Sequence, residues 1–138
     1  MSPEKLPDFI ESPSQQFDFK AVLLVDDDRQ LASILQWSLA DQNFLVDVAF
    51  DGQDALAKVR RTEYDAVICD VMIPKLRGDE FYTQAVEISP KLSDRFIFIT
   101  GYAADPQLNL FLCKTRAKYL MKPFPTQKLI DCVQQLLS

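Results

Sequence analysis

Short apolar runs alternate with amphipathic segments along most of this 138-residue chain. Short, mainly apolar runs of this kind are typical of strands that are covered on both faces. They occupy residues 22–25, 45–49, 66–69, 95–100 and 117–121. Apolar residues at helical spacing follow each run: Leu31, Ile34, Leu35 and Leu39; Ala55, Leu56 and Val59; Phe81, Ala85 and Ile88; Leu108, Phe111 and Leu112; Leu129, Val133, Leu136 and Leu137. The alternation predicts an α/β fold with a five-stranded parallel sheet and right-handed crossovers.

Polar residues and prolines mark several boundaries in this pattern. Asn43 suits the left-handed residue that ends a helix, and Asp51 suits a helix cap. Asp105-Pro106 is typical of a cap followed by proline at the first helical position. Residues 1–19 contain three prolines and show no sustained period. We therefore expect an N-terminal extension or linker, followed by one domain over residues 20–138.

Composition narrows the function further. The hydrophobic fraction is 48%, the net charge is −5, and no apolar run approaches the ~18 residues that cross a bilayer. We expect a soluble, cytoplasmic protein with no membrane insertion and no direct binding of nucleic acid. Its three scattered cysteines are expected to be buried, reduced thiols. Because histidine is absent, a Ser-His-Asp triad, a His-ligated zinc site and a phosphohistidine within this chain are excluded.

Polar side chains follow four of the predicted strands. Asp26, Asp27 and Asp28 follow the first strand, Asp70 the third and Thr100 the fourth, and Lys122-Pro123 follows the fifth. Each residue alone has an ordinary explanation, such as helix capping or strand propensity. In a parallel sheet, however, the carboxyl ends of the strands meet at one edge, where ligands bind. Their joint occurrence therefore predicts a functional site at this edge.

The residue types at the strand ends indicate phosphoryl chemistry. Clustered carboxylates repel one another unless a cation neutralises them, and a small set of oxygen ligands suits Mg²⁺. The hydroxyl of Thr100 and the ammonium group of Lys122 can bind the oxygens of a phosphoryl group. Asp70 is a candidate nucleophile, because aspartyl phosphates are an established covalent species.

Residues 20–138 resemble the receiver domains of response regulators, of the chemotaxis-regulator type, which act in two-component signalling. The resemblance is carried by LVDDD, YDAVICDVMIP, FITG and YLMKPF, at the family's spacings across all five strands. It implies a flavodoxin-like, doubly wound (βα)5 fold with strand order 2-1-3-4-5. Asp70 is then the phospho-acceptor, and Thr100 and Lys122 contact the phosphoryl group. Such a domain promotes only its own phosphorylation and dephosphorylation and is otherwise not an enzyme.

The resemblance also implies a metal site and a switch. Mg²⁺, for which Mn²⁺ can substitute, would bind Asp27, Asp70 and the Met72 backbone carbonyl, with Asp26 acting through water. Asp28 is then the cap of the first helix. Tyr119 is the family's switch aromatic, which turns inward when Thr100 closes on the phosphate. Against this, a half-buried strand position is a sufficient explanation for Tyr119.

The resemblance implies further features around the site. A cis Lys122-Pro123 bond is expected, and Met72 and Tyr102 would flank the approach of water to the phosphoryl group. Arg77 departs from the family, which often has an acidic residue there. Pro125-Thr126 replaces the usual polar cap of the last helix, and residues 114–116 lack the usual small-residue turn.

Partners follow from the same resemblance. The phosphoryl group would come from a histidine kinase or a phosphotransfer protein, or from a small acyl phosphate. A downstream protein would bind the face formed by helix four, strand five and helix five. A weak homodimer is a further possibility. Two other functions are alternatives: a receiver-like interaction module without phosphorylation, and an aspartate-nucleophile phosphatase, which would need an Asp where Met72 stands. We expect no output domain in this chain, so a stand-alone regulator and the receiver of a larger protein both remain open.

Overall fold

The structure, a computed structural model, describes residues 19–101 and 106–138. Five strands and five α-helices alternate over these residues. They are β1 (Ala21–Val25), α1 (Arg29–Ala40), β2 (Leu45–Ala49), α2 (Gly52–Arg61), β3 (Ala66–Asp70), α3 (Gly78–Ile88), β4 (Phe96–Thr100), α4 (Pro106–Thr115), β5 (Lys118–Met121) and α5 (Thr126–Leu136). A short 3-10 helix, Pro90–Asp94, connects α3 to β4. No helix within the described ranges is both long and apolar enough to span a bilayer.

The strands form one parallel sheet in the order β2-β1-β3-β4-β5. This arrangement confirms the predicted flavodoxin-like, doubly wound fold. Val25 lies opposite Cys69 in the pairing of β1 with β3, and Thr100 lies opposite Met121 in the pairing of β4 with β5. These registers bring the carboxyl ends of β1, β3, β4 and β5 to the same edge of the sheet.

Two apolar cores lie on opposite faces of the sheet. Leu23 and Val25 point into the core covered by α2, α3 and α4, whereas Val22 and Leu24 point into the core covered by α1 and α5. The central strands are therefore apolar at successive positions, because both of their faces are buried. Burial of apolar surface stabilises a fold by about 25 cal/mol per Å². These two cores therefore supply the main driving force that holds the strand ends in place.

Most of the polar residues that were predicted to mark helix boundaries lie at helix ends in the structure. The Asp28 carboxylate accepts a hydrogen bond from the N–H of Leu31 at 3.1 Å, so Asp28 caps α1 as predicted. Asp51 caps α2 in the same way, and Asn43 has φ 69° in the turn after α1. Pro106 is the first residue of α4, while the predicted cap Asp105 lies outside the described residues.

One prediction about burial is wrong, and one apolar residue of the helical pattern is exposed. Ile34 is 55% exposed, because α1 turns Ala32, Leu35 and Leu39 toward the sheet and Ile34 precedes Leu35 by about 100° of helical rotation. Cys113 is exposed although buried thiols were expected, since the buried residues of α4 are Leu108 and Leu112. The expectation of a buried thiol holds for Cys69, while Cys132 is partly buried.

Candidate functional site

Three carboxylates meet at the carboxyl ends of β1 and β3. Asp26 follows the last residue of β1, and Asp70 is the last residue of β3, the neighbouring strand. One oxygen from each of Asp26, Asp27 and Asp70 lies within 4.8 Å of the others. Asp26 and Asp70 are buried, whereas Asp27 is exposed. The structure thus brings together the carboxylates that the sequence placed at the ends of two different strands.

Asp26 is the most deeply buried of these carboxylates, with a side chain that is fully shielded from solvent. Its Oδ1 accepts a hydrogen bond from the N–H of Asp28 at 2.9 Å. Its Oδ2 is the one buried side-chain oxygen or nitrogen among the described residues that has no hydrogen-bond partner. Burial raises the pKa of Asp26 above its usual value, although the hydrogen bond from Asp28 opposes this effect. An unsatisfied buried carboxylate oxygen is costly, so this atom is suited to a cation.

Among the described residues, Lys122 is the basic residue that forms ion pairs with Asp26 and Asp70. Its Nζ donates a hydrogen bond to Asp70 Oδ2 at 2.7 Å and lies 3.6 Å from Asp26 Oδ2. Partial burial opposes the charged form, but the interactions with Asp70 and Asp26 outweigh it and raise the pKa of Lys122. The N–H of Lys122 donates to the carbonyl oxygen of Thr100, which fixes the lysine beside β4. The Lys122-Pro123 peptide bond is cis, as expected.

The two oxygens of Asp70 have different partners. Oδ2 accepts from Lys122, and Oδ1 accepts from the N–H of Met72 at 2.9 Å. Only 6% of Asp70 is exposed. These two hydrogen bonds hold the carboxylate in one orientation at the rim of the sheet.

The remaining predicted residues occupy the rim and the neighbouring strands. Thr100 is buried at the end of β4, the strand next to Asp70. The Met72 side chain is 54% exposed, and Tyr119 on β5 is 52% exposed opposite Phe98. Tyr119 is thus about half-buried, as the alternative to a switch role expected. Tyr102 lies outside the described residues.

Two glycines position the loop after Asp70, and the sequence pattern did not single them out. A Cβ on Gly78 would lie 2.7 Å from the Cα of Val71, and one on Gly52 would lie 2.6 Å from the carbonyl oxygen of Leu76. The N–H of Gly52 also donates to the carbonyl oxygen of Pro74 at 3.0 Å. Close backbone approach requires glycine at both positions. Each glycine is the first residue of a helix, and the sequence alone does not show which residues it approaches.

The donor set suits a hard divalent cation. Asp26, Asp27 and Asp70 offer only oxygen ligands, and one buried oxygen of Asp26 lacks a hydrogen bond. Mg²⁺ prefers oxygen ligands and is bound by few carboxylates while it keeps several waters. A cation here would also relieve the repulsion between the carboxylates.

Comparisons with known proteins show the family to which this chain is similar. The family model described as response regulator receiver domain matches residues 22–134. Response regulator ArlR of Staphylococcus aureus is 31% identical over 116 residues, which is 84% of this chain and 52% of that protein. The chain therefore spans about half the length of the curated relatives that it matches.

Solved structures of receiver domains and chemotaxis regulators have a similar fold. A CheY-like receiver domain protein from Methanospirillum hungatei JF-1 superposes with a TM-score of 0.79 at 26% identity, covering 86% of this chain and 94% of that one. Chemotaxis protein CheY4 of Vibrio cholerae superposes with a TM-score of 0.76 at 28% identity, covering 86% of this chain and 99% of that one.

Proposed function

The chain belongs to the response regulator receiver domain family, and from this premise we propose that it accepts a phosphoryl group on Asp70. Phosphorylation of an aspartate is the general function of this family, whose members are signalling domains rather than typical enzymes. The observation that carries the assignment to Asp70 is its environment: a buried carboxylate that is held by Lys122 and by the N–H of Met72.

In the proposed reaction an oxygen of Asp70 attacks the phosphorus of a donor. A bond forms between that oxygen and phosphorus, and the bond from phosphorus to the donor's leaving atom breaks and leaves its electron pair on that atom. The ammonium group of Lys122, which lies 2.7 Å from Asp70 Oδ2, supplies positive charge for the oxygens of the transferred group. Thr100, at the end of the adjacent strand, supplies a hydroxyl for the same oxygens.

The residues that would hold Mg²⁺ are Asp27, Asp70 and the Met72 backbone carbonyl, with Asp26 acting through water. The fit is supported by the oxygen-only cluster and by the unsatisfied Asp26 Oδ2, and Mn²⁺ would fit the same ligands. When bound, the cation neutralises charge on the carboxylates and on the phosphoryl oxygens.

Signalling would follow from a conformational change that begins at Thr100 and reaches Tyr119 on β5. We expect Thr100 to move toward the phosphoryl group and Tyr119 to turn inward, which shifts the population between two arrangements. The face of α4, β5 and α5 would then bind the downstream protein. Exposed apolar side chains on this face support the assignment, namely Leu110, Tyr119 and Met121. The phosphoryl donor would be a histidine kinase or a phosphotransfer protein.

Intact-mass spectrometry after incubation with acetyl phosphate and Mg²⁺ tests this proposal. Wild type should gain the mass of one phosphoryl group, and removal of the cation with a chelator should slow the gain. Asp70→Asn should gain none. Asp131→Asn, at an exposed position on α5, is the matched control and should behave as wild type. A wild-type mass that stays unchanged would instead favour an interaction module that does not take phosphate.

A further inference from the structure

A groove of about 360 Å³ opens beside Asp70. It shares Asp27 and Met72 with the proposed metal site, whereas its other lining residues have no part in the proposed phosphoryl transfer. Its lining is mainly apolar and combines one carboxylate with one guanidinium: Asp27, Val71, Met72, Ile73, Pro74 and Arg77. It adjoins the acceptor, because Met72 donates its N–H to Asp70 and Asp27 belongs to the carboxylate cluster. Small-molecule sites are commonly of about this size, with apolar walls and a few polar groups.

The loop that follows Asp70 folds back, so that Arg77 lies close to the backbone of Asp70. The N–H of Gly78 donates to the carbonyl oxygen of Val71 at 3.2 Å. A Cβ on Gly78 would also lie 3.2 Å from the carbonyl oxygen of Asp70. The residue before Gly78 is therefore held close to the acceptor by backbone contacts, although seven positions separate Arg77 from Asp70 in the sequence.

The backbone of Arg77 contributes to the helix that follows, because its N–H donates to Glu80 Oε1 and its carbonyl oxygen accepts from the N–H of Phe81. Its side chain does little for that helix. Arg77 is the N-cap residue of α3, but a guanidinium has only donors and cannot accept a hydrogen bond from the first turn. Its Nε lies 3.3 Å from Asp79 Oδ1, and its side chain is 47% exposed. The pairing with Asp79 involves Nε and Nη2, so the charge is partly balanced, and Arg77 is one of the residues that line the groove.

We propose that this groove binds the acyl group of a small acyl phosphate and that Arg77 stabilises the carboxylate that leaves. This inference rests on the proposed function of Asp70. An Asp70 oxygen bonds to phosphorus, the bond from phosphorus to the acyl oxygen breaks, and its electron pair stays on the departing carboxylate. A guanidinium favours this anion. It gives no such help to a phosphoramidate, whose nitrogen leaves as neutral ammonia.

The test compares phosphorylation rates with acetyl phosphate and with phosphoramidate, both with Mg²⁺. In Arg77→Gln the ratio of the acetyl phosphate rate to the phosphoramidate rate should fall about three- to fivefold, the size expected for one exposed charge. Arg77→Lys keeps the charge and should lose less of the ratio. Lys75→Gln removes a lysine from the same loop whose ammonium group lies 3.5 Å from Asp51, and it should keep the wild-type ratio.

A second measurement addresses the apolar walls. Butyryl phosphate should have a KM several-fold below that of acetyl phosphate, because a fully buried methylene contributes up to about fourfold in binding. Equal KM values, an unchanged ratio in Arg77→Gln, or equal losses in Arg77→Gln and Lys75→Gln would each overturn the inference. If neither donor labelled the wild type, the proposed function itself would be wrong, and this inference with it.

Discussion

Replacement of Lys122 by methionine tests whether its ammonium group acts as the cation of the metal-free site. The Nζ lies 2.7 Å from Asp70 Oδ2 and 3.6 Å from Asp26 Oδ2, and 29% of the lysine side chain is exposed. Removing one partner from a buried ion pair costs about 3–5 kcal/mol. Partial exposure of Lys122 screens the pair, so we expect a loss of about 2–3 kcal/mol in the free energy of unfolding.

Thermal melts measure this loss. For a domain of this size the loss corresponds to a Tm that is lower by roughly 8–12 °C in the absence of Mg²⁺. The pKa of Lys122 is raised above 10.5, so its stabilising contribution is complete below pH 10.5 and is lost as pH rises through the folded-state pKa. Melts at neutral pH therefore report the full effect. Lys118→Met, at an exposed position on the same strand, should change stability by less than about 0.5 kcal/mol.

Added Mg²⁺ should distinguish this explanation from a general loss of packing. In wild type the cation competes with the ammonium group for Asp26 and Asp70, whereas in Lys122→Met it does not. The rise in Tm caused by Mg²⁺ should therefore be larger in Lys122→Met than in wild type. A smaller or equal rise in the variant would refute the idea that Lys122 occupies the position of the cation.

Three further changes have expected outcomes. Gly78→Ala should cost about 2 kcal/mol or more in a denaturant melt, because its Cβ would lie 2.7 Å from the Cα of Val71, whereas Gly101→Ala meets nothing within 4 Å and is the control. Arg116→Gly should stabilise the protein by about 0.5–1 kcal/mol, since Arg116 has φ 55°, and an unchanged melt would contradict strain there. Met72→Asn should shorten the lifetime of the aspartyl phosphate several-fold relative to Met72→Leu, because the 54% exposed side chain covers the rim, and equal lifetimes would exclude shielding.

Most of the candidate site could be predicted because the sheet is parallel. Asp26, Asp70, Thr100 and Lys122 stand at the ends of apolar runs, and parallel pairing brings such ends to one edge. Residue type and position in the strand pattern were enough to select them. The cap Asp28 was predictable for a similar reason, since capping depends on neighbours only three residues away.

The features that the sequence did not predict depend on distances between separate elements. The 3.6 Å approach of Lys122 to Asp26 and the unsatisfied Oδ2 of Asp26 arise from how β1 and β5 are placed across the sheet. Periodicity put Ile34 on the apolar stripe of α1, but the rotation of the helix against the sheet left it exposed. The return of Arg77 to the acceptor depends on backbone contacts made by Gly78, which no local pattern encodes.

Whether Asp70 accepts the phosphoryl group is decided by mapping the modified residue. Wild type is treated with acetyl phosphate and Mg²⁺, and the acyl phosphate is then reduced with borohydride, which converts a phosphorylated aspartate to homoserine. The protein is cleaved, and its peptides are sequenced by mass spectrometry. We predict homoserine at position 70 and unmodified aspartate at positions 26 and 27. Homoserine at position 26 or 27, or the absence of homoserine at position 70, would contradict Asp70 as the acceptor.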